Sequence, residues 1–254
     1  MKECAFCPNN ANDGEHYWSA WIGDLFKTSG YNFRRLNTAT GSRLAWRRPS
    51  LGEKTKVVCK TCNNTWMSNL ENESKAAFAG MIRDGTEISV LSRGASLLAA
   101  FAFKCAVVAD HAEPHEGPFF SRFARRRFRE SRQIPPGVRM WLAAFHDPVG
   151  RRGLYTNYST SPTLEQFSDL KFYVFTFLAG HLAFQLHATK WTKLHKQGTP
   201  IPVVEPKADW DARVAAQFWP NVGSPIAWPP PLYLDGDALQ QFTYRWTGSA
   251  RIMI

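Results

Sequence analysis

The sequence predicts an α+β protein with two units, residues 1–82 and 83–254. In the first unit, two C-x-x-C pairs enclose a basic, strand-like segment, and apolar residues at helical spacing follow the second pair. The second unit combines one long apolar helix with several strand-like runs and contains no internal repeat. Because 44% of the 254 residues are hydrophobic and only 20% are charged, the chain can bury a substantial core.

Four of the five cysteines form two identical pairs, Cys4–Cys7 and Cys59–Cys62, and these pairs predict a metal site. Each C-x-x-C spacing lets two thiolates bind the same ion, and two pairs complete a tetrahedral shell that suits structural Zn²⁺. Disulfides and a redox pair are the alternatives. No apolar leader is visible at the N-terminus, and neither pair follows a thioredoxin-like strand, so zinc is favoured. Cys105 lies in an apolar run and is interpreted as an inert buried thiol.

Turn residues and apolar spacing predict the elements of the first unit. Residues 34–46 are interrupted by Ala-Thr-Gly at 39–41, which indicates a β-hairpin. Residues 55–58 have a strand pattern that leads directly into the second cysteine pair. After that pair a helix begins, with Asn63 or Asn64 as its N-cap, and Gly85 predicts its end.

The second unit is predicted to be α+β, with a fold that its pattern does not assign. The expected elements are a buried helix at 92–110 and strands at 138–145, 172–178, 181–187 and 240–246. The apolar run at 95–109 is too short to span a bilayer and has Lys104 in its middle, so it indicates a core helix. We therefore expect a cytoplasmic protein with no membrane partner.

The formal net charge of +10 is concentrated in two segments. Residues 31–60 hold eight Lys or Arg against one acid, and residues 122–132 hold six arginines against one acid. Such clusters can neutralise phosphates, which predicts a nucleic-acid partner without distinguishing DNA from RNA. The second cluster has an alternative, a solvated helix face with Phe119, Phe123 and Phe128 directed to the core. The predicted nucleic-acid contacts are Arg34, Arg35, Arg43, Arg47, Arg48 and Lys60.

Three polar residues are candidates for catalysis. The zinc site would bring His16 beside Asn63, although 46 residues separate them in sequence. His16 can act as a general base, and Glu15 and Asn63 can supply oxygen ligands to one Mg²⁺ or Mn²⁺. The alternatives stay open: His16 can be structural, and Asn63 can be only a helix cap. Glu71 and Glu73 are expected to face solvent.

C-x-x-C, acid-His and C-x-x-C-Asn, in this order, resemble the HNH, or ββα-metal, endonucleases over roughly residues 1–75. The zinc-stapled branch that contains phage recombination endonuclease VII has the most similar pattern. The resemblance implies a ββα-metal unit in which Cys4, Cys7, Cys59 and Cys62 bind structural zinc. It also implies phosphodiester hydrolysis, DNA favoured, with His16 as base and a catalytic divalent ion on Glu15 and Asn63. The residue before the histidine is usually aspartate in this family, and here it is glutamate.

Two functions of different class are compatible with these residues. The first is a metal-dependent HNH endonuclease, whose residues 83–254 position the substrate, form a homodimer or bind a partner protein. The second is a non-catalytic zinc module that binds nucleic acid or protein, in which the Glu-His pair is only structural. A role in anti-phage defence or in a mobile element is compatible with the first function, and the sequence does not decide it.

Overall fold

The computed structural model describes residues 2–26, 30–36, 43–112, 117–146, 153–160, 169–192, 203–205, 213–220, 223–245 and 251–253. These residues form an α+β fold in which every strand pair within the sheets is antiparallel, with the four paired cysteines near the N-terminus. This confirms the α+β class. The hydrophobic core continues across residue 82, from the N-terminal residues to the largest sheet. The division into two units at that position stays a prediction.

The N-terminal part contains two small sheets and an interrupted helix. Its elements are β1 (Asp13–His16), α1 (Ala20–Asp24), β2 (Tyr31–Leu36), β3 (Arg43–Arg48), β4 (Lys54–Val58), α2 (Lys60–Cys62), a π-helical turn (Asn63–Met67) and α3 (Ser68–Asp84). β2 and β3 pair in the order of a hairpin, which confirms the predicted strands. β1 pairs with β4, with a bulge between Asp13 and Glu15, and the helical segment follows β4 directly.

The helical segment begins earlier than predicted. Cys59 is the N-cap residue of α2, and its sulfur accepts a hydrogen bond from the Cys62 amide. Neither Asn63 nor Asn64 caps the helix, because Cys59 already fills that position. The predicted end is confirmed, since Gly85 has φ of 68° in the left-handed region that glycine adopts without strain.

The rest of the chain is built around one antiparallel sheet and one long helix. Its elements are β5 (Ile88–Val90), α4 (Ser92–Ala112), α5 (Arg122–Ser131), β6 (Val138–Ala144), β7 (Gly153–Thr160), β8 (Leu170–Ala179), β9 (Leu182–Trp191), β10 (Val203–Glu205), β11 (Ala215–Trp219), β12 (Ile226–Trp228), α6 (Gly236–Tyr244) and β13 (Arg251–Met253). The sheet has five strands in the order β11-β6-β9-β8-β7. The predicted strands at 138–145, 172–178 and 181–187 correspond to β6, β8 and β9.

The predicted strand at 240–246 is wrong, because residues 236–244 form α6. Asp235 caps this helix by accepting a hydrogen bond from the Ala238 amide at 2.8 Å. Its buried residues, Leu239, Phe242 and Thr243, recur at helical spacing. The N-cap residue Asp235, which lies upstream of the predicted strand, is the signal in the sequence that indicates a helix here.

The helix α4 joins the two parts of the molecule. It contacts α3 and β4 on the N-terminal side and β9 and β11 of the five-stranded sheet. Its length and hydropathy would also suit a membrane span, but most of it is buried inside this protein, as expected for a core helix. The predicted helix at 92–110 is thus confirmed as a core element, and Lys104 is buried in its middle.

The turn between β8 and β9 fixes the sheet against the end of α3. Gly180 has φ of 55°, and a Cβ at this position would overlap the Ile82 carbonyl oxygen. The next residue, His181, donates its amide hydrogen to that same carbonyl at 3.0 Å. Only glycine permits this close approach of two backbones.

Candidate metal centre and active site

The four paired cysteines meet in one buried cluster. Their sulfur atoms all lie within 4.8 Å of one another. Cys7 is 3.5 Å from Cys59 and 3.6 Å from Cys62, measured between sulfurs. A tetrahedral zinc ion with Zn–S bonds of about 2.3 Å separates its thiolates by about 3.8 Å, whereas a disulfide requires about 2.05 Å. The cluster therefore fits a structural Zn²⁺, which confirms the predicted grouping.

Hydrogen-bond donors surround the sulfurs. The Phe6 amide donates to Cys4 at 3.5 Å, and the Cys62 amide donates to Cys59 at 3.4 Å. The hydrogen bond with Cys62 is the main cause that lowers the pKa of Cys4 to about 5, and the same bond raises the pKa of Cys62. Donors of this kind stabilise negative charge on sulfur and so favour the thiolates that bind metal.

Helix α5 packs against the first cysteine pair. The buried Arg125 guanidinium donates to the Ala5 carbonyl, inside the Cys4–Cys7 loop, and to the Phe120 carbonyl at 3.1 Å. On the same side of the helix, Phe128 lies 6.4 Å from the Phe6 ring. These contacts hold the Cys4–Cys7 loop from outside the N-terminal segment.

His16 ends β1, where it pairs with Lys54 of β4. Its side chain is half-buried. Burial lowers the pKa of His16, and the nearby charges of Lys54 and Lys104 lower it further, against the opposing effect of Glu71. The imidazole is therefore neutral at pH 7, the form that can accept a proton.

Asn63 reaches the strand that carries His16. Its amide nitrogen donates to the Asp13 carboxylate at 3.1 Å and lies 3.5 Å from the Gly14 carbonyl oxygen. The structure therefore brings Asn63 to β1, as the zinc geometry predicts, but places it on Asp13. Sequence reasoning missed Asp13, although its position in the strand that ends at His16 could have drawn attention to it.

Glu15 forms a buried ion pair with Lys104. Its side chain is 2% exposed, and its carboxylate lies 2.7 Å from the Lys104 ammonium of α4. Lys104 is also 2.6 Å from Glu71, which accepts a hydrogen bond from the Ser19 hydroxyl at 2.7 Å. The expectation that Glu71 faces solvent is therefore wrong, because α4 places a cation beneath it. We call Glu15, Lys104 and Glu71 the buried charge triad.

The charges of the triad influence one another strongly. Burial raises the pKa of Glu15, and Lys104 opposes this effect. Burial alone would lower the pKa of Lys104, but the two carboxylates raise it well above its usual value, so it stays charged. Glu71 is also desolvated, yet Lys104 and Ser19 lower its pKa. The triad thus holds an ammonium ion between two acids in the protein interior.

The predicted nucleic-acid residues lie mainly on the β2–β3 hairpin. Arg43, Arg47 and Arg48 of β3 are exposed, and Lys60 is exposed at the start of α2. Arg48 pairs with Glu53 at 3.0 Å. Arg34 and Arg35 lie on β2, opposite Ala45 and Leu44, but their side chains lie outside the part of the chain that the structure describes.

The second arginine cluster contacts the protein more than expected. Arg122 and Arg126 pair with Glu3, and Arg132 binds both oxygens of the exposed Glu73 at 2.7 and 2.9 Å. Phe119 and Phe128 are buried, but Phe123 is 71% exposed. The alternative that all three rings face the core is therefore wrong for Phe123.

Comparison with known proteins identifies no relative. No protein family, no curated protein and no solved structure matches this chain. Among the described residues, the four-cysteine cluster is the one group of three or more His, Cys, Asp or Glu side chains placed to hold a metal ion. The site itself is therefore the basis for a function.

Proposed function

We propose that this protein is a metal-dependent endonuclease of the HNH type that hydrolyses phosphodiester bonds, with DNA as the favoured substrate. The observation that carries the proposal is the contact between Asn63 and β1. Asn63 follows the last zinc-site cysteine, and β1 ends at His16. The antiparallel pair β1–β4, followed by the helix from Lys60 onward, supports a ββα arrangement.

The base in this reaction is His16. A neutral imidazole can remove a proton from the attacking water, and its lowered pKa keeps it neutral at physiological pH. The pairing of β1 with β4 holds the backbone of His16 in place. A bound Mg²⁺ or Mn²⁺ would supply positive charge near the leaving oxygen.

Asn63 would hold this ion together with a carboxylate of β1. The family resemblance assigns that role to Glu15, whose carboxylate is bound to Lys104. Asp13 already contacts Asn63, and a half-turn of the amide would direct both oxygens to one cation. Asp13 is therefore the better-placed carboxylate. If so, Asp13→Asn raises the Mn²⁺ concentration needed for cleavage far more than Glu15→Gln does, whereas the reverse result would restore Glu15 as the ligand.

The basic hairpin supports a polyanionic substrate. Arg43 and Arg47 are exposed on β3, and Lys60 is exposed at the helix start next to Cys59. These cations lie on the elements that precede and follow β4 in the chain, and β4 pairs with the strand that carries His16, so they can contribute phosphate contacts to the candidate site. Such contacts position the nucleic acid without selecting its sequence.

The test compares wild type with His16→Ala on supercoiled plasmid, single-stranded DNA and RNA in Mn²⁺. Loss of a general base costs about 100- to 10,000-fold in rate. We expect His16→Ala to lose cleavage rate by this factor and to keep the zinc content of wild type. His146→Ala, which removes an exposed histidine that follows β6, is the matched control and should cleave normally. Equal cleavage by wild type and His16→Ala would exclude His16 as the base.

One observation favours the second candidate function, a non-catalytic zinc module that binds nucleic acid. The triad occupies the Glu15 carboxylate, so the acid before the histidine contributes to packing in the described structure. Wild type that contains zinc and binds nucleic acid, but cleaves none of the three substrates in Mg²⁺ or Mn²⁺, would establish this function instead.

A further inference from the structure

The outward face of α5 is basic and carries an exposed aromatic ring. At 3.6 residues per turn, about 160° of the helix circumference includes four arginines and one phenylalanine. We call them the α5 face: Arg122, Phe123, Arg126, Arg127 and Arg129. The opposite side of the helix is used for packing, since Phe128 is fully buried and Arg125 binds the Cys4–Cys7 loop.

Phe123 is the residue on this face that packing does not explain. Its side chain is 71% exposed, the highest value among the large hydrophobic side chains of the described residues. Burial of a phenyl ring stabilises a fold, and the exposed Phe123 ring contributes little of that stabilisation. The Arg127 guanidinium lies 5.9 Å from the ring centre, in a cation–π contact. A planar cation is thus already placed beside an accessible aromatic surface.

The charge of the face identifies the kind of partner. Glu3 pairs with Arg122 and Arg126, and Glu130 lies on the same side of the helix. These two carboxylates offset two of the four arginine charges, and the face stays positive. A positive surface with an exposed ring complements a polyanion that also presents flat apolar groups, and unpaired nucleotides combine both properties.

We propose that the α5 face binds single-stranded nucleic acid, with one base stacked on Phe123 and phosphates bound by Arg127 and the neighbouring arginines. In a duplex the bases are stacked on each other, so only the arginine contacts remain available. The helix that carries this face contacts the Cys4–Cys7 loop through Arg125, and its C-cap residue Arg132 binds Glu73 of α3. The role of the face in positioning substrate rests on the proposed nuclease function, but binding by itself does not.

The experiment measures binding of the full-length, zinc-containing protein to fluorescein-labelled (dT)₂₀ and to a 20-base-pair duplex, without added Mg²⁺ or Mn²⁺. Base stacking on an aromatic side chain contributes about 1–3 kcal/mol, so Phe123→Ala should weaken (dT)₂₀ binding about 5- to 150-fold. Duplex binding should change less than about twofold, because the arginines stay in place. Phe123→Tyr should retain binding, since it keeps a π-face.

Leu91→Ala is the matched control, because Leu91 is also largely exposed, at 60%, but lies outside α5. It should bind (dT)₂₀ as wild type does. Unchanged (dT)₂₀ binding by Phe123→Ala, an equal loss on single strand and duplex, or no binding by wild type would each overturn the proposal. If wild type cleaves no substrate but Phe123→Ala selectively loses (dT)₂₀ binding, the nuclease function is refuted and binding of single strands by the α5 face is still supported.

Discussion

The N-terminal part, which contains the four-cysteine cluster, and the five-stranded sheet have interiors of different chemistry. Around the cysteine cluster, the buried groups include thiols, the charge triad and Arg125. The sheet instead buries mainly apolar groups, such as Phe177 and Phe184 with ring centres 4.8 Å apart, and its buried polar residues, such as Thr176, Gln185 and His187, are uncharged at pH 7. Metal ligation and ion pairs are directional and hold polar groups in defined positions, whereas apolar packing contributes stability without that selectivity.

Helix α4 belongs to both interiors, which shows how the sheet supports the candidate site. It supplies Lys104 to the triad, and one turn earlier it supplies Phe101, whose ring centre lies 5.4 Å from the Lys104 ammonium and 6.3 Å from the Phe177 ring. The Tyr173 hydroxyl of β8 also donates to the Ala106 carbonyl at 3.0 Å. The residue before His16 is thereby connected to the largest hydrophobic core in the molecule.

The largest expected effect comes from removing zinc. Apparent binding free energies of structural zinc are about 10–16 kcal/mol and act largely as folding free energy. Cys59→Ser should therefore lose the metal and fail to fold in its N-terminal part. Elemental analysis and limited proteolysis measure this. Cys105→Ala, which removes a buried thiol outside the cluster, should keep about one zinc per chain. A folded, zinc-free Cys59→Ser protein would contradict a structural role for the metal.

The next effect compares a buried charge with a buried ring. Lys104→Met leaves two carboxylates without their cation and should cost about 3–5 kcal/mol of unfolding free energy. Phe177→Ala leaves a cavity in the sheet and should cost a similar amount, about 3–5 kcal/mol. The double variant Lys104→Met, Glu15→Gln should be more stable than Lys104→Met alone, because it removes one of the two carboxylates left without a cation. The same Glu15→Gln change should not restore the stability lost in Phe177→Ala. Urea unfolding measures all three, and an unchanged stability in Lys104→Met would show that the triad does not stabilise the fold.

A smaller effect is the loss of stability that buried His187 causes in the sheet as pH falls. Burial is the main cause that lowers the pKa of His187 in β9 to about 3, from an unfolded value near 6.5. Between these values the unfolded chain binds the extra proton, so His187 contributes stability that is present above pH 6.5 and is lost as pH falls. The loss at pH 5 amounts to about 2 kcal/mol.

His187→Gln should therefore make the difference in unfolding free energy between pH 7 and pH 5 smaller by about 2 kcal/mol. Chemical denaturation at the two pH values measures it. The variant can be less stable than wild type at both pH values without affecting the test, because only the difference is used. An unchanged difference would mean that His187 is protonated in the folded protein at pH 5.

The smallest effect on stability belongs to the basic hairpin. Replacing Arg43, Arg47 and Arg48 by alanine should change unfolding free energy by less than about 0.5 kcal/mol per residue, since all three are exposed. It should reduce the slope of log affinity for DNA against log salt by about one unit for each phosphate that is no longer bound. Arg83→Ala, at an exposed position near the end of α3, is the control and should leave the slope unchanged. An unaltered slope in the triple variant would show that these arginines do not contact the phosphates of the nucleic acid.

Much of the fold near the site follows from local signals in the sequence. The cysteine spacing predicts the cluster, the turn residues at 39–41 predict the β2–β3 hairpin, and Gly85 predicts the end of α3. The apolar run around Lys104 predicts a core helix rather than a membrane span. Each of these signals depends on residues a few positions apart, where backbone geometry restricts the outcome.

The partners of the polar side chains could not be predicted in the same way. The sequence predicts Glu15 beside Asn63, and the structure places it on Lys104, 89 residues away in sequence. Arg125 belongs to a basic cluster in the sequence, and it binds Ala5, 120 residues away. The Asn63–Asp13 contact likewise depends on how β1 lies against the helix start. A charged side chain gives no local signal of which distant backbone or carboxylate it will meet.

Local patterns along the chain were thus sufficient for the α+β class, for the four zinc-site cysteines and for the placement of His16 and Asn63 on adjoining elements. Three features required the packed structure: Lys104 occupies the Glu15 carboxylate, Asp13 contacts Asn63, and Phe123 stays exposed. The two groups differ because secondary structure and C-x-x-C geometry depend on short-range backbone preferences, whereas burial and ion pairing depend on which elements pack together.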